Sequence, residues 1–192
     1  MTGAATNLDP IPELYAVQDA IRALKTEAGA MPSWDLTPRQ MCDLELLMNG
    51  GFAPLTGFLG QADYEAVRDS MRLADGTLWP IPITLDVSRA FADALEPGQA
   101  IALRDPEGVI LATMAVNDRW EPDKALEAAR VFGADDRTHP AVDYLHRVAG
   151  PVYLGGPVTG LTPPVHYDFR GRRDTPNELR ARFRKLGWRR VV

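Results

Sequence analysis

Residues 78–116 read LWPIPITLDVSRAFADALEPGQAIALRDPEGVILATMAV, and the period of their apolar side chains decides the fold class. Ile81, Ile83, Leu85 and Val87 alternate with Pro80, Pro82, Thr84 and Asp86, the period of two that a half-buried strand requires. Pro80 and Pro82 remove two backbone donors from one side, so this strand is expected at an edge, or with a free edge at its start. A short helical turn is expected over 89–95. Gln99 to Arg104 reads as a second strand. Asp105-Pro106-Glu107-Gly108 has the residues of a type I turn, and Val109 to Val116 pairs back as a third strand. Three neighbouring strands joined by tight turns argue for a small antiparallel sheet or partial barrel.

Outward from these strands the period changes to that of helices. Upstream, Glu13 to Ala28 places Leu14, Val17, Ile21 and Leu24 on one face and stops at Gly29. Met31 to Trp34 reads as a connector. Thr37, Pro38 and Gln40 form a capping box with proline at the first helical position, and Leu36 can staple onto Met41. Met41, Leu44, Leu47 and Met48 make the buried stripe of that helix, and Asn49-Gly50-Gly51 breaks it. Phe52 to Leu59 is apolar but too interrupted by Pro54 and Gly57 for a strand, so it is expected to be a buried, turn-rich loop. A loop facing a substrate is the alternative, since backbone near glycine can approach a ligand closely. Tyr64, Val67 and Met71 mark a further helix that ends before Gly76. Downstream, Asp123 can cap a helix carrying Leu126, Ala129 and Phe132, with Gly133 as its stop. Pro140 begins another with Val142, Leu145 and Ala149 inward. Pro151 to Leu154 is expected as a short strand ended by Gly155-Gly156-Pro157. The class is α+β, with no internal repeat and no low-complexity tract.

The last stretch, DFRGRRDTPNELRARFRKLGWRRVV over 168–192, carries a second capping box at Thr175-Pro176-Asn177-Glu178. Leu179, Phe183 and Leu186 give the helix an apolar face, and Gly187 is its left-handed stop. Trp188 to Val192 reads as a strand just beginning. Such a strand lacks a sheet to bury it, so the expectation is one domain over 1–167, followed by a linker and the first elements of a second, absent domain over 168–192.

A length of 192 residues suits one domain and a remainder. The net charge of −5 is uneven. Residues 170–192 hold nine basic and two acidic side chains, a net of +7, whereas residues 1–169 hold twelve and twenty-four, a net of −12. The tail is read as a basic face docked on the acidic domain before it, the alternative being an anion-attracting surface. Cys42 is the only cysteine, which excludes an internal disulfide and fits a reducing cytoplasm. With Met41 and Leu44 as neighbours it is expected to be a buried, inert thiol. No early segment resembles a secretory signal, and no apolar run approaches the roughly 18 residues that span a membrane. A cytoplasmic chain with no membrane partner is expected.

Chemistry-bearing patterns are sparse. The histidines are His139, His146 and His166; His139 and His146 lie seven apart, too far to share one ion on a straight helix, and no Cys or acidic cluster joins them in sequence, so no metal site is expected. His139, before Pro140, is read as a helix cap. Gly155 to Gly160 lacks the Lys and Ser/Thr of a phosphate loop, and no serine elbow occurs. Nucleic-acid binding calls for a basic groove with aromatic platforms, and residues 78–116 are acidic or neutral, so no nucleic-acid partner is expected. The residues themselves define no catalytic, substrate-binding or metal site.

Three stretches together resemble one family. Asn49-Gly50-Gly51-Phe52-Ala53-Pro54-Leu55-Thr56-Gly57-Phe58-Leu59 is similar to the N-terminal signature of ATP sulfurylases (sulfate adenylyltransferases). His139-Pro140-Ala141-Val142-Asp143-Tyr144-Leu145 resembles a second motif, and Thr175-Pro176 with Glu178, Arg180, Phe183, Gly187 and Trp188 a third. Their order and spacing match along nearly the whole chain. The resemblance implies an N-terminal PUA-like β-barrel domain with flanking helices, followed by a Rossmann-like catalytic domain. In the family a Q-x-R-N-P-x-H-x-x-H phosphate motif follows the strand that Trp188 would open. That motif is not in this sequence, so the resemblance carries no catalytic residue onto any position here and implies a chain inactive alone, with no cofactor of its own. For the intact enzyme it implies Mg-ATP and sulfate as substrates and adenylyl sulfate and pyrophosphate as products. It also implies a homo-oligomer in which the PUA-like domain packs on its own catalytic domain. Some relatives carry a fused adenylylsulfate kinase domain, which this sequence neither shows nor excludes. A stand-alone RNA-binding PUA-like module or an inert interaction domain are the rival expectations.

Overall fold

The computed structural model describes residues 7–191. One strand organises them. β7 (Val152–Gly160) is nine residues long and pairs with four others. Its first half lies antiparallel between β3 (Leu85–Val87) and β6 (Asp118–Trp120), with Leu85 opposite Leu154 and Trp120 opposite Tyr153. Its second half lies between β2 (Gly57–Phe58) and β5 (Ile110–Ala115), with Phe58 opposite Gly156 and Thr113 opposite Thr159. β5 continues to β4 (Ala100–Arg104), and β4 pairs in parallel with β1 (Ser33–Asp35) at the edge. The sheet therefore curls around β7 into a half-barrel.

Gly155-Gly156-Pro157 was expected to end this strand, yet the strand runs through it. The reason is crowding. A Cβ at Gly155 would sit 2.4 Å from the Leu59 carbonyl oxygen, and one at Gly156 would sit 1.9 Å from that of Ala115. Only glycine lets two partner strands converge there. Pro157 faces solvent opposite Gly57, and the next donor, Val158 N, carries the ladder to Thr56 O at 3.0 Å.

The helices cover the half-barrel. α1 (Ile21–Ala28) is shorter than its periodicity suggested, because Leu14 and Ala16 are recruited into sheet-like bonds with Gly160. Val17, expected inward, is 74% exposed. β1 replaces the expected connector at 33–35. α2 (Pro38–Met48) has the complete capping box of Thr37 and Gln40, and Leu44, Leu47 and Met48 are buried as expected. Cys42, in contrast, lies on its exposed face. The loop 52–59 buries Leu55, Phe58 and Leu59, as a structural loop should, and contributes two strand residues. α3 (Gln61–Ser70) buries Tyr64 and Val67, with Met71 just past its end exposed. α4 (Arg89–Asp93) is capped by Ser88, and the Asp105–Gly108 turn closes β4 onto β5. α5 (Lys124–Glu127) is capped by Asp123 and passes into a π-helical turn, Ala128–Phe132, that stops at Gly133 with φ 64°. α6 (Pro140–Arg147) buries Val142 and Leu145. His139 precedes it without a side-chain capping bond and stacks on Phe132 instead.

The core lies between sheet and helices, where Leu44, Leu85, Ile101, Leu103, Met114 and Leu154 are fully buried. Each such side chain contributes on the order of 1.5–3 kcal/mol of hydrophobic stabilisation. α7 (Pro176–Leu186) differs in kind. Its capping box is complete and Gly187 takes φ 69°, both as the sequence predicts, but it contributes no buried residue. Trp188 to Val191 forms no strand; with no sheet edge beside it, Trp188 stays half exposed and stacks on Phe183. Val192 lies outside the described residues.

Candidate functional site

The described residues form a cleft of about 280 Å³ between β3, α6 and the π-helical turn. Its walls are apolar, built from Ile81, Val131, Phe132 and Leu145. Its floor is polar. Asp86, on β3, is 4% exposed and accepts from Gly150 N at 2.6 Å, from Gln40 Nε2 at 3.0 Å and from Arg39 Nη2. Arg39 also reaches Asp43 at 2.6 Å and the Thr84 carbonyl at 3.1 Å. The capping box fixes this arrangement: it starts α2 at Pro38, which points Arg39 and Gln40 together at β3.

Glu127 is the second buried carboxylate, 6% exposed. Its Oε2 accepts from the hydroxyls of Tyr64 at 2.9 Å and Tyr153 at 3.0 Å. Tyr64, Trp120 and Tyr153 pack around it with ring centroids 5.5–5.8 Å apart. Burial pushes the Glu127 carboxyl above its usual range, against the opposing pull of the two hydroxyls. Burial, reinforced by Glu127, likewise raises both tyrosines. Lys124 donates to the Ala149 carbonyl at 2.6 Å, and burial lowers its pKa. Arg39 lies over the Tyr144 ring, 5.8 Å from its centroid. The Tyr144 hydroxyl and Arg39 Nε are both buried atoms without a well-formed hydrogen bond among the described residues.

None of these side chains stood out in the sequence as part of a site. Asp86 was one of the polar positions of an alternating strand, but Ile83 through Val87 are all buried, because β3 is covered on both faces. Of the apolar residues expected on this helix, Phe132 packs against Ala128, Val142 and Leu145, while the buried positions are Glu127 and Ala128, where α5 passes into the π-helical turn. The usable signals were an acid inside PITLDV and an acid between apolar residues in ALEAA.

A second, more open groove runs beside the loop 54–60 and Gly155 to Pro157. Its carboxylates are already engaged: Asp63 accepts from Ala74 N, Asp75 from Thr77 N and Asp118 from Gln61 N, at 2.7–2.8 Å. Of the histidines, His166 lies 2.8 Å from Glu45 and His139 stacks on Phe132. No group of three or more His, Cys, Asp or Glu suited to a metal ion occurs among the described residues, and none of their helices is long and apolar enough to cross a membrane.

The basic tail was expected to dock on the acidic domain before it; among the described residues no ion pair joins the two. Arg173 pairs with Asp168 and Arg182 with Asp174, both inside the tail. α7 is tied instead to residues 7–13, chiefly through uncharged acceptors. Asn177 exchanges bonds with Ile11 N and O and reaches Glu13, and Arg180 donates to the carbonyls of Asn7 and Asp9. This leaves Leu186, Trp188, Tyr167 and Phe169 exposed in a setting of arginines.

Residues 6–163 match the family model of the PUA-like domain, which is the half-barrel and its helices. The chain belongs to the PUA-like domain family. It is 49% identical over 166 residues to a sulfate adenylyltransferase of Eremothecium gossypii, covering 86% of this chain and 33% of that relative. It is 51% identical over 159 residues to a sulfate adenylyltransferase of Saccharomyces cerevisiae, covering 83% and 31%. A solved structure described as a hexameric APS kinase from Thiobacillus denitrificans superposes with a TM-score of 0.73 at 38% identity, over 94% of this chain and 31% of that one. The chain thus spans about a third of the length of these relatives.

Proposed function

We propose that this chain is the N-terminal PUA-like domain of a sulfate adenylyltransferase, the enzyme class that joins ATP and sulfate into adenylyl sulfate and pyrophosphate. The observation that carries this reading is the identity of about half of all positions, sustained over more than four-fifths of the chain, to relatives named for that activity. The domain's part is support. The packed unit ends at residue 167, and 168–192 lead into a Rossmann-like catalytic domain that packs on the exposed face of Phe169, Leu186 and Trp188. The absence of any buried residue in α7 supports that boundary. A homo-oligomeric, cytoplasmic enzyme fits the reading, as does association with an adenylylsulfate kinase domain, in view of the hexameric neighbour.

Mg-ATP does not fit the residues described. The cleft floor presents Asp86 and Glu127, which repel a triphosphate, and no carboxylate cluster offers a magnesium ligand set. No chemical step is therefore assigned to this chain, and nucleotide and sulfate are handled by the rest of the enzyme. A stand-alone RNA-binding role is opposed by the net charge of −12 over residues 1–169, since phosphate backbones demand cationic surface.

The test is a pair of proteins assayed for sulfate-dependent adenylyl sulfate formation. One is this chain alone. The other is a chimera in which it replaces the matching segment of the S. cerevisiae relative. The chimera is expected to be active and the chain silent. Activity of the chain alone, or a folded but inactive chimera, would overturn the proposal. Salt-dependent RNA retention that survives deletion of residues 170–192 would revive the rival.

A further inference from the structure

α7 buries no residue, so packing does not fix its direction on the half-barrel. Hydrogen bonds do, and their partners lie 164 to 173 positions away in sequence. The Asn177 amide meets the main chain of Ile11 twice, accepting from its N–H at 2.9 Å and donating to its carbonyl at 3.0 Å, as a strand partner would. The same Nδ2 reaches Glu13 at 2.8 Å. One turn later, Arg180 Nη1 donates to the carbonyls of Asn7 at 2.7 Å and Asp9 at 2.9 Å. The segment that supplies these partners is itself rooted in the core. Leu14 donates to the Met48 carbonyl and accepts from Gly160 N, both at 2.8 Å. Ile11 and Pro12 pass over Gly50, where φ is 81° and a Cβ would lie 2.7 Å from the Pro12 carbonyl oxygen. The linker has a separate tie, His166 on Glu45. Between the two ties, Phe169 is exposed and takes φ 49°.

We propose that residues 7–13 form a docking strap for α7, and that Asn177 and Arg180 orient the domain that follows α7 relative to the half-barrel. Two attachment points one turn apart, about 4.5 Å along the helix axis, fix a direction as well as a position. The capping box makes the pairing reproducible, because it starts the helix at Pro176 and so sets which face carries Asn177 and Arg180. Apart from Glu13, the acceptors on the strap are uncharged carbonyls. Hydrogen bonds are directional, whereas attraction between a basic tail and an acidic domain would permit many poses and is screened by salt. Phe169 is where α7 swings once the strap lets go. Its left-handed backbone is sparsely populated for a residue with a side chain, and it persists while both flanks are tied. That a catalytic domain follows α7 rests on the function proposed above; the clamp does not.

The experiment measures residual dipolar couplings of the full chain, with tryptic cleavage after Arg170, Arg172 and Arg173 as a second readout. Couplings of residues 176–186 are expected to fit the alignment of β7. They should still fit it in about 0.5 M NaCl, where charges are screened beyond roughly 4–5 Å. Asn177→Asp is nearly isosteric and suits the first turn of a helix, but it sets a carboxylate against the Ile11 carbonyl and Glu13. It is expected to keep the half-barrel couplings and the protection of the α7 amides, while the α7 couplings leave the common alignment. Cleavage should quicken about fivefold, the worth of one net hydrogen bond, because it tracks the open population. Adding Arg180→Ala should bring this to about 25-fold. Three results would overturn the proposal: α7 not sharing the alignment of β7 in the unaltered chain, an alignment lost in salt, or a double variant with couplings and cleavage unchanged. A folded but inactive chimera alongside the expected couplings would refute the proposed function and leave the clamp standing.

Discussion

Replacing Asp86 by alanine tests whether charge holds α2 against β3. The carboxylate is almost wholly buried and accepts three bonds, from Arg39, Gln40 and Gly150. Alanine strands the Gly150 amide and removes one of the two carboxylates on Arg39. Some contacts survive. Gln40 keeps the main-chain carbonyl of residue 86 at 2.7 Å, and Arg39 keeps Asp43 at 2.6 Å. Removing one partner of a fully buried ion pair costs roughly 3–5 kcal/mol. Arg39 has its second carboxylate and a side chain about one-third exposed, so the lower end applies, about 3 kcal/mol.

In urea, with a slope of roughly 2 kcal/mol per molar, that cost is a midpoint lowered by about 1.5 M. Asp86→Asn keeps the shape and one acceptor but loses the charge, and is expected to cost about half as much. The double variant Arg39→Met with Asp86→Ala removes the guanidinium that the single variant leaves short of charge. It is expected to be more stable than Asp86→Ala alone. A midpoint shift below about 0.5 M at unchanged slope, or a double variant no better than the single, would refute the reasoning. Arg39 would then be satisfied by Asp43 and water, and Asp86 would be a passive wall.

Three further outcomes are expected. The Glu127 carboxyl is raised above its ordinary 4.5 by burial, so the folded state holds its proton more tightly than the unfolded chain. Its contribution to stability therefore falls as pH rises from about that value through the raised one, and Glu127→Gln should flatten this part of a melting-temperature profile; coincident profiles would contradict it. Gly156→Ala drives a Cβ to 1.9 Å from the Ala115 carbonyl oxygen and should cost at least about 3 kcal/mol, seen as lost soluble yield or a collapsed melting transition. Thr37→Ala and Thr175→Ala each remove a cap worth about 1 kcal/mol. Only the first should lower the global midpoint; the second should instead speed amide exchange within residues 176–186, because α7 buries nothing.

The parts of the fold legible in the sequence are those governed by local chemistry. Both capping boxes, the Gly133 and Gly187 stops, the helical turn expected over 89–95 and the Asp105–Gly108 hairpin turn depend on residues within a few positions of one another. The misreadings share a different cause, a distant partner overriding the local pattern. Gly160 draws Leu14 and Ala16 out of a helix, and β4 turns an apparent connector into β1. The candidate cleft was the least legible feature. Its floor unites Arg39, Asp86, Glu127, Tyr144 and Tyr153, and no spacing along the chain encodes that meeting. Periodicity assigned Asp86 to a polar face because it assumes a strand with one wet side, and β3 has none.

The same reasoning explains why the organising strand was mistaken for a short one. A strand that serves four partners must let backbones approach from both sides at the point where the sheet curls. Side chains are incompatible with that approach at 155 and 156, so the residues required at the hub are those that weaken an isolated strand. A glycine pair flanked by Val152-Tyr153-Leu154 and Val158 is thus better read as a bend inside one long strand than as its end, provided apolar residues resume in register beyond it. Here they do: Leu154 and Val158 are both buried, four apart on the same face of the strand count. The consequence reaches the cleft. Because β7 continues past the bend, β3 and β6 are clamped on its first half, Tyr153 is held between them, and its hydroxyl is fixed on Glu127. A substitution that straightens or breaks the bend should therefore disturb the polar floor as well as the sheet, although no floor residue touches Gly156.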